Sequence, residues 1–145
     1  METENQLFFK ATKFAVVGNS GEKPFPKLTF NKLNNLGKKA YPIDSSVPDI
    51  DGHATFNSFT DLPEKVERAI LELPKVETID WLRKADEAGI KDIWIHMGRE
   101  TPEAIQYASD HNINLRTGTC AVMYLTQGVT YHSLHKWISK LTGKF

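Results

Sequence analysis

The sequence predicts an α/β domain in which a mainly parallel sheet lies between two layers of helices. Short apolar segments typical of buried strands alternate with longer segments whose apolar residues recur at helical spacing. Three predicted strands end in glycine or small polar residues, at Gly18-Asn19-Ser20, Gly98 and Gly118-Thr119. In such sheets the ligand crevice lies outside the carboxyl ends of the strands. We therefore expect the three turns to face one site.

Length and composition indicate a single globular domain spanning 1–145. The chain has 145 residues, of which 40% are apolar and 25% charged, which suits one core. The 18 basic and 18 acidic side chains balance, so no overall field attracts nucleic acid or a membrane surface. Cys120 is the single cysteine, and no leader or membrane-spanning segment is apparent. A cytoplasmic location is expected.

The chain opens with a polar extension at 1–10, in which Leu7, Phe8 and Phe9 are apolar enough to pack on the domain. The next apolar run, Phe14 to Val17, shows no polar alternation, which is typical of a strand buried on both faces. Gly18 then permits a tight turn, the place where doubly wound domains hold a nucleotide's phosphates against a helix N-terminus. An ordinary turn after a buried strand is the alternative.

The first helix is expected at Lys27–Leu36, because Pro24 and Pro26 forbid a regular helix before it and Gly37 ends it. A second strand is predicted at Lys39–Ile43. The opening is therefore β-turn-α-β, half of a nucleotide-binding motif.

The middle of the chain is less regular. Turn signals run from Val47 to Pro63 around one extended segment at Ala54–Phe56, a long connection expected to hold a strand or to contribute to a site. Residues Pro63–Leu73 suit either a helix, with Val66, Ala69, Ile70 and Leu73 on one face, or a strand at Ala69–Leu73. A strand is preferred, because the predicted helix Val76–Ala88 and the strand Asp92–Met97 after it need one for a right-handed crossover.

The final part contains a helix, a strand and a terminal helix. Thr101 is an N-cap and Pro102 suits the first helical position, so a helix is predicted to about His111. Asn114–Thr117 is the last parallel strand. An amphipathic helix is predicted within 132–145 from the i, i+3, i+4, i+7 spacing of Leu134, Trp137, Ile138 and Leu141. These elements define a Rossmann-like three-layer α/β fold.

Several short motifs extend this interpretation. They are Val16-Val17-Gly18-Asn19-Ser20, Tyr41-Pro42-Ile43, Gly52-His53, Asp61-Leu62-Pro63, Pro74, Trp94-Ile95-His96-Met97-Gly98 and Cys120. Their order and spacing, over roughly Lys13 to Tyr124, resemble the CoA-binding domain family, small Rossmann-like proteins related to the nucleotide-binding domain of succinyl-CoA synthetase. The resemblance implies CoA or an acyl-CoA as ligand.

Three positions depart from the family's usual pattern. Asn19 stands in place of alanine, which a turn tolerates. Asp44-Ser45 replaces Asn-Pro, and Gly118-Thr119 replaces Asp-Arg. The last two departures change the charge beside the expected crevice, so the ligand could be CoA, an acyl-CoA or NAD.

The candidate ligand-binding residues follow from the strand ends and the first helix. Ser20 is expected to contact phosphate through its hydroxyl and backbone, and Lys27 could neutralise a pyrophosphate. Asp44 lies where NAD-binding domains place an acid for the ribose hydroxyls, although it could equally be a solvated turn aspartate. The ribose of CoA carries a phosphate that this carboxylate would repel unless a lysine intervened. The full set is Gly18, Asn19, Ser20, Lys27, Asp44, Ser45, Pro74 and Gly98.

No catalytic or metal-binding residue is predicted. His96 lies in an apolar strand and is expected to be a core histidine, with no carboxylate or second histidine beside it. Cys120 is expected to be buried rather than reactive. His132 and His135 have no partner ligands in the sequence, so a metal site there is not expected.

Three functional hypotheses follow. The leading one is a non-catalytic module that binds CoA or acyl-CoA, a small-molecule partner, and neither nucleic acid nor membrane. The second is an NAD(P)-dependent oxidoreductase that uses Asp44, or a subunit associated with an acyl-CoA ligase. Against it stand the absence of a substrate domain and of an acid/base pair. The third is an interaction protein without ligand. A homo-oligomer is also open, because Trp137 could cover the sheet or a second subunit.

Overall fold

The computed structural model describes residues 8–21 and 25–117. Its helices are α1 (Phe25–Asn35), α2 (Lys75–Glu87) and α3 (Pro102–Asp110), and a short 3₁₀ helix spans Phe59–Asp61. The strands are β1 (Lys13–Gly18), β2 (Lys39–Ile43), β3 (Asp49–Ile50), β4 (His53–Ala54), β5 (Arg68–Glu72), β6 (Asp92–Ile95) and β7 (Asn114–Arg116).

Five strands form one parallel sheet in the order β2-β1-β5-β6-β7. The chain passes from β1 through α1 to β2 at one edge, and then crosses to the other side of β1 to form β5. The topological switch point therefore lies between the carboxyl ends of β1 and β5, where open α/β sheets bind ligands. The strands β3 and β4 form a separate antiparallel hairpin after β2.

The two faces of the sheet bury separate apolar clusters because successive strand residues point to opposite faces. The first face holds Phe14, Val16, Ile70 and Trp94 under Leu33 of α1, together with Phe8 and Phe9. The second face holds Ala15, Val17, Leu71 and Ile93 under Leu82 and Ala85 of α2 and Ala104 and Ala108 of α3. Helices thus cover both faces, and the predicted three-layer α/β fold is confirmed.

The predicted packing of the N-terminal aromatic residues is confirmed for the two that the structure describes. Phe8 and Phe9 are 1% and 9% exposed. Their rings lie 5.4 Å and 5.1 Å from the ring of Trp94. This aromatic group closes the first face of the sheet where α1 does not reach.

Two element boundaries differ from the predictions by two residues. The helix α1 begins at Phe25 rather than Lys27, because Pro26 stands in the first turn, where a helix needs no backbone N–H. The strand β6 ends at Ile95 rather than Met97, since Gly98, with φ +77°, turns the chain.

The two uncertain middle segments are resolved as strands. The preferred strand at Ala69–Leu73 is confirmed as β5, one residue earlier at each end. The extended segment at Ala54–Phe56 is confirmed in part, because Ala54 ends β4 and Phe56 forms a parallel bridge to Ile43. The terminal helix within 132–145 and the turn Gly118-Thr119 lie outside the described residues.

Candidate functional site

The turn after β1 is shaped by a very close approach between a strand end and a helix. A Cβ atom at Gly18 would lie 2.1 Å from Cγ of Pro26, in the first turn of α1, and 3.3 Å from the carbonyl oxygen of Glu72. No side chain fits that gap. Glycine therefore lets the N-terminus of α1 pack directly on the end of β1, where it can face an anion.

Asp44 joins the turns after β1 and β2. Its Oδ2 accepts a hydrogen bond from the Ser20 amide at 2.7 Å. Its Oδ1 accepts from the amide of Ser46 at 3.0 Å and from the Ser46 hydroxyl. The Ser46 hydroxyl oxygen in turn accepts from the Gly21 amide at 2.9 Å. With 2% exposure, Asp44 is a buried organiser of both turns rather than a solvated turn residue.

Two further side-chain oxygens of the first turn have no hydrogen-bond partner among the described residues. The Ser20 hydroxyl and the Asn19 side-chain carbonyl oxygen are both buried without a hydrogen bond. Buried polar groups are normally satisfied, and an exception in a native fold calls for an explanation such as a bound ligand. The Ser20 hydroxyl is therefore open to a ligand, whereas the Ser20 amide, also expected to contact phosphate, is engaged by Asp44.

A cavity of about 440 Å³ lies at the carboxyl end of β2, lined by Asp44 to Pro48 together with Thr55 and Asn57. Ser45, one of the predicted ligand-binding residues, is among them. The Thr55 hydroxyl donates to the carbonyl oxygen of Val47 at 2.6 Å, which holds the segment after β4 against the segment after β2.

Lys27 is directed to the β3–β4 hairpin. Its Nζ lies 3.2 Å from Oδ1 of Asp51, and both side chains are about half exposed. The Asn31 amide donates to the other oxygen of Asp51 at 2.7 Å. These hydrogen bonds lower the pKa of Asp51, with Asn31 the larger cause. Lys27 and Asn31 therefore tie α1 to the β3–β4 hairpin.

Pro74 and Gly98 follow the ends of β5 and β6. Pro74 caps α2, and its carbonyl oxygen accepts from the Glu77 amide at 3.0 Å. The Thr78 hydroxyl of α2 donates to the carbonyl oxygen of Arg99 at 2.9 Å. This bond holds the segment after Gly98 against the start of α2, so both predicted residues lie at the carboxyl edge of the sheet.

A buried polar cluster beneath this edge was not predicted. Glu72, Thr29 and His96 are all 0% exposed. The Thr29 hydroxyl donates to Oε2 of Glu72 at 2.8 Å, and Nδ1 of His96 lies 3.7 Å from the same oxygen. His96 is buried as expected, but the expectation that no carboxylate lies beside it is wrong.

Both titratable members of the cluster are neutral near pH 7. Burial raises the pKa of Glu72 to about 8, which the hydrogen bond from Thr29 only partly offsets. Burial, followed by the nearby charge of Arg99, lowers the pKa of His96 to about 4. The contact is therefore not an ion pair, and Glu72 is a carboxylic acid able to donate a hydrogen bond.

In the sequence this cluster could be recognised only from the positions of its residues along their strands. Glu72 comes two residues after Ile70, and His96 comes two residues after Trp94, so each continues the inward-facing row of its strand. Glu72 is also the register partner of Gly18. The cluster lies on the α1 side of the sheet, directly beside the first turn.

A second cavity of about 430 Å³ is lined by residues that include Phe59, Leu62, Val66, Gly89 and Ile90. Val66 precedes β5, and Gly89 and Ile90 precede β6. This cavity therefore lies toward the amino ends of the strands, away from the crevice defined by the topology.

Two other observations bear on the kind of site. Among residues 8–21 and 25–117, no group of three or more His, Cys, Asp or Glu side chains could hold a metal ion. No helix in the described part of the chain is long and apolar enough to cross a membrane. Cys120, His132 and His135 lie outside the described residues.

The sheet order, the glycine turn under a helix N-terminus and the cavity beside β2 define a doubly wound α/β domain of the nucleotide-binding type. A sequence profile of the CoA binding domain family matches residues 12–126. The chain belongs to this family, and the suspected resemblance is confirmed.

Individual relatives agree with this assignment. Subunit alpha of the ADP-forming acetate–CoA ligase II of Pyrococcus furiosus is 29% identical over 92 residues, which are 61% of this chain and 20% of that subunit. The chain thus matches about a fifth of this curated relative.

Two solved structures share the fold. A protein redesigned for binding superimposes with a TM-score of 0.75 at 20% identity, over 88% of this chain and 89% of that one. A hypothetical protein from Pyrococcus horikoshii OT3 gives a TM-score of 0.74 at 20% identity, over 86% and 88% of the two chains.

Proposed function

We propose that this protein binds CoA or an acyl-CoA in the crevice at the carboxyl ends of β1, β2, β5 and β6, and that it does so without catalysis. The observation that carries the proposal is the turn after β1. There the chain presents a buried Ser20 hydroxyl with no partner among the described residues, within the segment that matches the CoA binding domain family. The diphosphate of the ligand is assigned to this turn.

The other predicted residues surround the remainder of the ligand. Asp44 and Ser45 lie at the nucleoside end, in the cavity beside β2. Pro74 and Gly98 lie at the ends of the next two strands, where the pantetheine arm would leave the turn. Lys27 lies in the first turns of α1, where its ammonium is paired with Asp51 of the hairpin.

A nicotinamide dinucleotide is a weaker candidate. Its ribose hydroxyls would depend on a free acidic group at the end of β2. The oxygens of Asp44 already accept three hydrogen bonds, from Ser20 and Ser46. The absence of catalysis is proposed because the titratable pair beneath the crevice, Glu72 and His96, is 0% exposed. A substrate could not reach either side chain.

Isothermal titration calorimetry with CoA, acetyl-CoA and NAD tests the proposal. Saturable binding of the two CoA compounds is expected, with no heat from NAD. Ser20→Ala should raise the dissociation constants of both CoA compounds by about tenfold, the effect of losing one hydrogen bond to a charged group. Ser109→Ala, an exposed position on α3, is the matched control. The absence of any heat with CoA and acetyl-CoA would overturn the proposal.

A further inference from the structure

The cavity at the carboxyl end of β2 indicates which nucleotide the proposed site selects. We infer that this site does not select for the ribose phosphate that distinguishes CoA from dephospho-CoA, so that dephospho-CoA is bound at least as tightly as CoA. The inference rests on the proposed function, since it concerns the nucleoside end of the same ligand.

The topology places the nucleoside in this cavity. In doubly wound domains the phosphates lie at the first strand-to-helix turn, and the adjoining ribose is bound at the end of the second strand. In this chain those two places are joined by the hydrogen bond from the Ser20 amide to Asp44. The cavity of about 440 Å³ falls within the range of about 300–1,000 Å³ typical of small-molecule sites.

The cavity is lined by groups that suit ribose hydroxyls rather than a phosphate. Ser45 contributes a hydroxyl and Asn57 an amide. The hydroxyls of Ser46 and Thr55 already donate to Asp44 and to the Val47 carbonyl oxygen, so toward a ligand they can act only as acceptors. No lysine or arginine is among the described lining residues. A phosphate dianion is normally recognised by such cations, through charge-assisted hydrogen bonds.

The charges around the cavity also oppose a second phosphate. Asp44 receives its hydrogen bonds from neutral groups, and no salt bridge to it occurs among the described residues. The adjoining hairpin adds Asp49 and Asp51. Lys27, the cation in contact with the hairpin, is paired with Asp51. The segment 44–51, which lines and adjoins the cavity, therefore carries three aspartates against one paired lysine, and this excess of negative charge disfavours an additional anion.

The test compares the dissociation constants of CoA and dephospho-CoA by calorimetry. For the wild-type protein we expect the ratio of the CoA constant to the dephospho-CoA constant to be one or more. Asp44→Asn removes one negative charge and keeps an oxygen acceptor for the Ser20 amide. The substitution costs the Ser46 amide its acceptor on the second oxygen. It should lower the ratio by about tenfold. Asp110→Asn, an exposed position at the end of α3, is the matched charge control and should leave the ratio unchanged.

The outcomes separate this inference from the proposed function. Tighter binding of CoA than of dephospho-CoA by the wild type would overturn the inference while the proposed function stood. The absence of binding by either nucleotide would overturn both. Should Asp44→Asn fail to fold, Asn57→Lys adds a cation at an exposed lining position and should also favour CoA by about tenfold. An unchanged ratio in that variant would count against the placement of the ribose.

Discussion

Replacing Glu72 by glutamine should remove a pH dependence of folding stability that its burial creates. In the folded protein the pKa of Glu72 is raised to about 8 from its ordinary value of 4.5, so folding takes up a proton between these values. The stabilisation that comes from protonated Glu72 is fully present below pH 4.5 and is lost as pH rises through 8. Glutamine has the same shape and does not titrate.

The size of the effect follows from the pH window above the titration of His96. The pKa of His96 is lowered from 6.5 to about 4, so the folded protein holds this imidazole neutral. The stabilisation from neutral His96 is fully present above pH 6.5 and is lost as pH falls through 4. From pH 6.5 to 8, stability should therefore fall by about 2 kcal/mol in the wild type, at about 1.4 kcal/mol per pH unit. In Glu72→Gln the fall should disappear.

Urea unfolding followed by circular dichroism, at several pH values across this window, measures the effect. The pH slope is the relevant quantity, because the offset between the two proteins also contains the new amide's own hydrogen bonding. Glu103→Gln, an exposed change on α3, should keep the wild-type slope. Parallel loss of stability in wild type and Glu72→Gln would refute the conclusion that Glu72 is protonated in the folded protein.

Three further substitutions test the packing around the crevice. Gly18→Ala places a Cβ atom 2.1 Å from Cγ of Pro26. It should lower the free energy of unfolding in urea by about 1–3 kcal/mol and weaken CoA binding in calorimetry. Unchanged values of both would contradict the described contact. Thr101→Ala removes the hydroxyl that accepts the Ala104 amide at 3.1 Å and should cost about 1 kcal/mol in thermal or urea unfolding, whereas Thr101→Ser should retain most of it. Leu82→Ala, at a side chain with 0% exposure, should cost about 2–5 kcal/mol by the same measurement without altering the affinity for CoA; a loss below about 1 kcal/mol would show that α2 packs loosely.

The sequence predicted the regular elements because each carries its own local pattern. The strand β1 is an unbroken apolar run, and α3 begins with Thr101 and Pro102, a cap and a first-turn proline. The hairpin β3–β4 was missed because each of its strands is only two residues long. Its signal was nevertheless present, since Asp51-Gly52 is a strong hairpin dipeptide, and both residues have positive φ angles, 49° and 88°.

The candidate site was predictable in position and less so in detail. Asp44 was placed correctly at the end of β2, but its engagement by Ser20 depends on a partner 24 residues away. The contact between Glu72 and His96 requires that β5 and β6 be neighbours with a given register. Local periodicity gives the face of each strand but not the identity of its neighbour. For that reason the buried acid beside His96 could be found only from the structure.

The hydrogen bond from the Ser20 amide to Asp44 means that this amide is held by the protein's own carboxylate before a ligand arrives, while the Ser20 hydroxyl stays open. A phosphate that takes this amide must first displace a carboxylate already seated at 2.7 Å. The measured affinity is then the difference between two competing sets of hydrogen bonds rather than the strength of one. If a ligand displaced Asp44, the freed carboxylate would add negative charge to the cavity. The free energy of breaking its hydrogen bonds would then lower that ligand's affinity.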